Sequence, residues 1–230
     1  EAGFEVHVAT HVDRHRAAIE REGFTLHALP WRRGSLDPRH LVPLVRAIRC
    51  LYRNLAPDIV HHVSVEACAV GSLAALGLKV AQVNAITGLG TAFYGRDGRS
   101  GGVGWPVKTI LRSLLRQARS TVLVQNPDDR AVMLELGVKP ERIALIPGSG
   151  VDTAALTPLP EPAGIVSVGF VGRLLGSKGI RVLLEAHERL LRRGCNVRLL
   201  IAGQPDPANR DSVSADEVAA WARRTNVNYL

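Results

Sequence analysis

The residues with the clearest chemical potential form a short loop rich in glycine and positive charge, residues 172–179. Its glycines permit close approach to the backbone, and Ser177 is a suitable N-cap for a following helix. Free N–H groups and the positive end of a helix dipole attract anions, and Arg173 and Lys178 add two full charges. The loop therefore predicts a diphosphate site, with a solvated basic loop as the alternative.

The spacing within this loop is not that of two common nucleotide-binding motifs. It lacks both the GxxxxGK pattern followed by Ser or Thr and the GxGxxG pattern, so neither an ATPase nor a dehydrogenase is indicated. The β-branched run 165–171 is typical of a strand buried on both faces of a parallel sheet. From Ile180 onward, apolar residues recur at helical spacing, so a strand leads through the loop into a helix.

A second group of candidate residues lies in the first half of the chain, where two predicted strands end. His61 and His62 end one strand, and Thr87, Gly88 and Gly90 follow the next. Ligands of parallel sheets gather at the carboxyl ends of the strands, so these residues are candidates for a binding site. Packing at the strand end is the alternative for the histidines. No third ligand at metal spacing accompanies them, so zinc is not expected.

Two further features of this half favour a ligand-binding surface. The glycine-rich stretch 95–102 is long for a loop at the ligand end of a sheet, and such loops are often functional. A predicted helix over 105–119 carries Lys108, Arg112 and Arg116 on one stripe beside apolar residues. Such a stripe favours peripheral contact with an anionic membrane, with a solvated face on a packed helix as the alternative.

The predicted elements alternate between strand and helix, which indicates an α/β fold of doubly wound parallel sheets. The proline-rich, aperiodic segment 147–163 marks a boundary between domains 1–157 and 158–230. The chain has no initial Met and stops within a predicted strand. We therefore expect a fragment, with a first domain that lacks its first strand and a second domain that is truncated.

Composition narrows the class of partner. The net charge of +8 and a pI near 10.1 favour an anion, and 4% aromatic residues argue against recognition by base stacking. No nucleic acid is therefore expected as a partner. The three cysteines form no CxxC pair, which predicts free thiols in a reducing, cytoplasmic compartment. No apolar run is long enough to span a bilayer.

Taken together, the motifs resemble the retaining glycosyltransferases of family four. Their GT-B architecture consists of two facing Rossmann-like domains with the active site between them. The matching motifs are PDIVH at 57–61, IPGSGVD at 146–152, and FVGRL at 170–174 followed by Lys178-Gly179. A further motif, NAITGLG at 84–90, is similar to that of bacterial members that build surface polysaccharide on a lipid carrier.

The resemblance implies roles for the candidate residues. Arg173 and Lys178 would hold the donor diphosphate and stabilise the departing charge, and Gly172 would let the backbone approach. His61 or His62 would face the transferred sugar, although relatives often have His-x-His where this chain has adjacent histidines. Thr87, Gly88 and Gly90 would contact substrate. A glycine-rich acceptor loop and a glutamate pair of relatives would lie beyond the two ends, so little or no turnover is expected.

The implied function is transfer of a sugar, with retention, from a UDP-linked donor to a lipid-linked saccharide in polysaccharide biosynthesis. It would take place in the cytoplasm or at the inner face of the membrane. No cofactor is expected, and magnesium is not required because no acidic cluster accompanies the phosphate loop. Two alternatives stay open: a UDP-sugar epimerase of the same architecture, and a non-catalytic basic module that binds nucleic acid or acidic lipid.

Overall fold

The computed structural model describes residues 3–12, 15–32, 34–35, 37–89, 105–148, 150–207, 209 and 211–230. The chain forms two compact units, unit 1 (Glu1–Val151) and unit 2 (Asp152–Leu230). Within each unit strands alternate with helices, and neighbouring strands pair in parallel. The prediction of an α/β fold with parallel sheets is confirmed. The division after residue 157 that the sequence favours lies in the same proline-rich segment as the boundary between the units.

The described residues of unit 1 form six strands in two sheets, one ordered β1-β2 and one ordered β3-β4-β5-β6. The strands are β1 (His7–Thr10), β2 (Thr25–Ala28), β3 (Ile59–Val63), β4 (Ala81–Ile86), β5 (Ser120–Val124) and β6 (Ile143–Leu145). The described helices are α1 (Arg16–Arg21), α2 (Pro38–Leu55), α3 (Val65–Ala74), α4 (Trp105–Leu115) and α5 (Pro127–Glu135), and a 3-10 turn covers Pro140–Arg142.

Local capping explains where two of these helices begin. The Asp37 side chain accepts a hydrogen bond from the N–H of Arg39 at 2.9 Å, and Pro38 is the first residue of α2. Asn126 does the same for α5, accepting from the N–H of Asp129 at 2.7 Å. Each cap satisfies an N–H that has no partner within the helix, and proline fits the first helical position.

Helix α4 packs one face against the core of unit 1. Leu111, Leu114 and Leu115 are all buried, and Leu111 and Leu115 pack in one cluster with strand residues such as Val122. Of the apolar side chains predicted to lie beside the basic stripe, Ile110 is exposed. The stripe is therefore the outer face of a core helix, and the helix ends at Leu115 rather than at residue 119.

Unit 2 contains one described sheet, ordered β7-β8-β9. A 3-10 turn (Gly176–Lys178) precedes its first helix. The strands are β7 (Val166–Val171), β8 (Val197–Ala202) and β9 (Val227–Tyr229), and the helices are α6 (Ile180–Arg192) and α7 (Ala215–Ala222).

The position of β7 corrects one expectation from the sequence. Residues 165–171 form the predicted strand, but it is not buried on both faces, since Val166 is 65% exposed and Val171 86% exposed. The reason is that, within the described residues, Phe170 is the one residue of β7 that packs against the core of unit 2, and the other residues of the strand are exposed. That core is formed instead by side chains from α6, α7 and β8, such as Ile180, Trp221 and Leu199.

Gly71 provides a test of the packing in unit 1. It lies in α3 against the His62 ring, and an added Cβ would overlap Nε2 of that ring. Gly71→Ala should lower the free energy of unfolding by up to about 2 kcal/mol, because overpacking costs ~1–3 kcal/mol and a gain in helix propensity of ~1 kcal/mol offsets only part of that cost. The measurement is urea unfolding, with hydrogen exchange of β3 and β4 as the readout for unit 1.

The matched control is the same change in a His62→Ala background. There the ring is absent, so Gly71→Ala should become neutral or stabilising by up to about 1 kcal/mol. An equal loss of stability in both backgrounds would show that contact with the ring is not the reason Gly71 is required.

Candidate functional site

The candidate site in unit 2 lies at the carboxyl ends of β7 and β8. The N–H of Gly172 donates to the carbonyl of Ala202 at 3.0 Å, which extends the pairing of the two strands into the loops. A Cβ at Gly203 would overlap the carbonyl oxygen of Gly172, and both glycines have positive φ (+155° and +153°). Because only glycine tolerates this approach and this backbone, the two loops can lie against each other.

The sequence predicts free N–H groups in this loop, but in the structure most of these groups already have hydrogen-bond partners. The N–H of Gly176 donates to the carbonyl of Asp211 at 2.9 Å, and the N–H of Ser177 donates to the carboxylate of Asp211 at 2.6 Å. The N–H of Leu174 donates to the carbonyl of Gln204 at 3.0 Å. A carboxylate of the same unit therefore occupies one position predicted for an external anion.

Ser177 also does not cap the following helix. It lies within the 3-10 turn, and the N-cap of α6 is Gly179, which has left-handed backbone geometry and no side chain to offer. The sequence could not show this, because Ser177 and Gly179 are both acceptable N-cap residues and the choice depends on the turn between them.

The two predicted cations have different surroundings. The Arg173 guanidinium donates to the Asp206 carboxylate at 2.8 Å, with the arginine side chain about half exposed at 48%. Lys178 is exposed, and in the described part of the chain its ammonium forms no ion pair. Both charges lie at the carboxyl end of β7, as a diphosphate site requires, but Arg173 would have to exchange Asp206 for a phosphate.

A cavity of about 650 Å³ lies beside this ion pair. Its lining includes Pro205 and Pro207, which flank Asp206, and also Ser212 and Tyr229. The Tyr229 hydroxyl donates to the carbonyl of Gly203 at 2.6 Å, which fixes one wall. The volume falls in the range of about 300–1,000 Å³ that is usual for small-molecule sites. The sequence indicated only a polar loop over this segment, because its proximity to Arg173 arises from the pairing of β7 with β8.

In unit 1 the two adjacent histidines lie on opposite faces of β3. His62 is buried at 6% exposure, while His61 is exposed on the same face as Ile59 and Val63. The Tyr52 hydroxyl lies 2.7 Å from His62 Nε2, and Asn84 Oδ1 lies 2.7 Å from His62 Nδ1.

The amide oxygen of Asn84 can only accept, so it assigns the donating N–H of His62 to Nδ1. Nε2 then accepts from the Tyr52 hydroxyl. Asn84 Oδ1 also accepts from the Ser72 hydroxyl at 3.1 Å, and Asn84 Nδ2 donates to the Ser120 hydroxyl at 2.9 Å. Both nitrogens of His62 are therefore used within a closed polar network that joins α2, α3, β3, β4 and β5.

Burial lowers the pKa of His62 below its ordinary value of 6.5, the hydrogen bond with Asn84 opposes this shift, and nearby His61 adds to it. The imidazole is therefore neutral near pH 7. A buried, neutral ring with both nitrogens bonded is not placed to contact a sugar, which corrects the hypothesis for His62. His61 remains the candidate on this strand.

The other candidates in unit 1 follow β4. Thr87 and Gly88 are exposed just beyond its carboxyl end, and Gly88 has a φ of +138°. Gly90 and the glycine-rich stretch 95–102 lie outside the described residues. Within those residues, no group of three His, Cys, Asp or Glu is arranged to hold a metal ion. None of the described helices has the length and apolar character that crossing a membrane requires.

Comparison with known proteins identifies the family. A sequence profile described as Glycosyltransferase Family 4 matches residues 1–155. The chain belongs to glycosyltransferase family 4. The resemblance inferred from the motifs is thus confirmed at the level of the family. No curated protein sequence matches this family 4 chain.

Solved structures resemble the family 4 chain in fold at low identity. Anabaena HepE in complex with UDP-glucose is 15% identical, with a TM-score of 0.70 over 97% of this chain and 60% of that chain. A glycosyltransferase from Rickettsia africae is 17% identical, with a TM-score of 0.64 over 97% and 59%. A putative UDP-N-acetylglucosamine 2-epimerase from Listeria monocytogenes is 12% identical, with a TM-score of 0.54 over 99% and 69%.

These likenesses show a fold of the GT-B type, as predicted, and they show the fold alone. The family 4 chain spans about 60% of the length of the HepE chain. Cys50, Cys68 and Cys195 are free thiols in the structure.

The buried network makes the stability of unit 1 depend on pH. The folded pKa of His62 is depressed, so the unfolded chain binds more protons below about pH 6.5 and stability falls as pH decreases through that value. The free energy of unfolding should change by up to ~1.4 kcal/mol per pH unit between the pKa values of His62 in the unfolded and the folded chain. Urea unfolding at pH 7.5 and 5.5 measures it.

His62→Gln should remove this component of the pH dependence. His61→Gln is the matched control that should keep most of it, because burial and not His61 is the largest cause of the lowered His62 pKa. The other histidines contribute equally to both variants. If the two variants had the same pH dependence, the account of His62 as a ring held neutral would fail.

Proposed function

We propose that the chain is part of an enzyme that transfers a sugar from a nucleotide-diphosphate donor, UDP-linked, to a hydroxyl of a lipid-linked saccharide. The observation that carries the proposal is the loop of unit 2: Arg173 and Lys178 follow the carboxyl end of β7, and Asp206, the partner of Arg173, lies between two residues that line a cavity. Family membership supplies the reaction class, and the loop supplies a place for the leaving group.

In the proposed reaction the bond between the anomeric carbon and the diphosphate oxygen breaks, and the diphosphate leaves with the electron pair. The acceptor hydroxyl forms the new bond to the anomeric carbon, and its proton passes to the departing diphosphate. Arg173 and Lys178 stabilise the charge that develops on the diphosphate, which is the kind of electrostatic assistance that contributes most in such reactions. Retention of configuration is part of the proposal and rests on the family resemblance.

The cavity beside Arg173 is the proposed place for the nucleoside of the donor. Pro205, Pro207 and Tyr229 offer apolar walls, and Ser212 offers a hydroxyl. Such a mixture of apolar surface and few polar groups is usual for nucleotide pockets. A UDP donor is favoured by analogy, since the HepE structure contains UDP-glucose.

For unit 1 we propose that His61, Thr87, Gly88 and Gly90 face the sugar or the acceptor. His61, Thr87 and Gly88 are exposed at or near the carboxyl ends of their strands, where a ligand can reach them. Cytoplasmic location and peripheral contact with an anionic membrane also belong to the proposal. Since the leucines of α4 are buried, such contact would rest on charge and not on insertion of the helix.

The epimerase alternative is supported by the likeness to the Listeria protein, which is weaker than the likeness to HepE. An epimerase acts on its UDP-sugar without an acceptor, whereas a transferase does not. Incubation with UDP-N-acetylglucosamine alone, followed by proton NMR, should show no epimer. Appearance of the epimer would favour the alternative.

The proposal predicts that UDP binding depends on the two cations of the loop. Arg173→Ala and Lys178→Ala should each weaken UDP about tenfold or more, because each removes a charge-assisted hydrogen bond to phosphate. Isothermal titration calorimetry measures the dissociation constants.

The matched control for this titration is Arg198→Ala. Arg198 is exposed in unit 2 but lies near the amino end of β8, at the opposite end of the sheet from the loop. It should leave UDP affinity unchanged within about twofold. Affinity that is indifferent to Arg173 and Lys178, or that falls equally in Arg198→Ala, would rule out the donor-site assignment.

A further inference from the structure

A second cavity, of about 340 Å³, lies in unit 1 at the amino ends of the strands. Its lining includes Ser120, the first residue of β5, and Arg142, which directly precedes β6. The candidates His61 and Thr87 lie instead toward the carboxyl ends of β3 and β4. The cavity is therefore at the opposite edge of the sheet from the proposed sugar-facing residues and has no part in the sugar transfer proposed above.

Positive side chains converge on this cavity. Arg116, Lys139 and Arg142 line it, and Arg112 lies against the backbone at Gly137, another lining residue. In the described part of the chain none of these four cations forms an ion pair with a carboxylate. Residues 108–120 contain no acid, and Glu141 does not line the cavity.

The cations of unit 2 have more carboxylate partners than those of unit 1, where among the described residues Arg16 is the one Lys or Arg in an ion pair. Five arginines of unit 2 are paired with carboxylates: Arg173, Arg181, Arg189, Arg192 and Arg224. Unit 1 contains 19 of the 29 Lys and Arg residues and 13 of the 21 Asp and Glu residues, for a net charge of +6 against +2 in unit 2. The excess positive charge of the chain thus resides mainly in unit 1.

Helix dipoles explain part of the cluster but not all of it. Arg112 and Arg116 lie at the carboxyl-terminal end of α4, where carbonyl groups favour cations. Lys139 and Arg142 come from a different segment, the 3-10 turn before β6. Bringing like charges from two segments to one cavity is electrostatically unfavourable unless an anion joins them.

We propose that this cavity binds a phosphate-bearing anion with two or more negative charges. Two arginines and a lysine suit phosphate, because guanidinium groups bind its oxygens in bidentate geometry. Gln117 is held by its own bonds, to the carbonyls of Ser72 and Leu114 and to Gln82, so charge dominates recognition. Of the described residues that line the cavity none is aromatic, so phosphate and not a nucleobase is recognised.

The test is titration of pyrophosphate into the full chain carrying Arg173→Ala and Lys178→Ala, which removes the proposed donor site. Pyrophosphate should still bind, with amide NMR shifts at Gly137 and Lys139. Arg116→Gln, Lys139→Gln and Arg142→Gln should each weaken it about tenfold. The charge-matched control, Lys79→Gln, lies just before β4 at the same edge of the sheet and outside the cavity, and should have no effect.

Vesicles distinguish the two sources of such a phosphate. If the ligand is a lipid headgroup, binding to phosphatidylglycerol vesicles should fall in the three variants and be displaced by pyrophosphate. If it is a free phosphate compound, pyrophosphate should bind while vesicle binding is the same in all variants. The proposal is overturned if pyrophosphate does not bind, if its affinity is unchanged in the three variants, or if citrate binds as tightly. None of these outcomes depends on whether UDP binds at the loop of unit 2, which the UDP titration tests.

Discussion

Adjacent residues of a β-strand point to opposite faces of the sheet, and this constraint organises unit 1. As a result His62 is buried against α3, while His61 is exposed. Once His62 is inside, its two nitrogens need partners, because a buried polar group without a hydrogen bond is costly. Tyr52 and Asn84 supply them, and the absence of a side chain at Gly71 makes room for the ring.

The loop of unit 2 obeys a different constraint, since two of its donors already bind carboxylates. Asp211 accepts from the N–H of Ser177, and Asp206 pairs with Arg173. An incoming diphosphate therefore exchanges one anion for another, and its affinity reflects only the difference between the two interactions. Lys178 has no carboxylate partner in the described part of the chain. Its ammonium can therefore bind phosphate without giving up another anion.

Sequence reasoning succeeded where the determinant is local. The caps at Asp37 and Asn126 depend on a few neighbouring residues, including the proline that follows each of them, so the starts of α2 and α5 follow from the local sequence. It failed where burial depends on distant elements: β7 reads as a buried strand, yet most of its residues are exposed. The choice between His61 and His62 was open for the same reason, since alternation separates them but only tertiary packing decides which face is covered.

The role of a positive side chain in this molecule is decided by the carboxylates within its reach. Arg181 donates twice to Glu217, ties α6 to α7 and, through that hydrogen bond first, holds the pKa of Glu217 at about 2. Both side chains are exposed, so solvent screens the pair and its contribution to stability is modest. Arg116 and Arg142 have no such partner among the described residues. Their electrostatic potential stays directed at a cavity, where an external anion can use it.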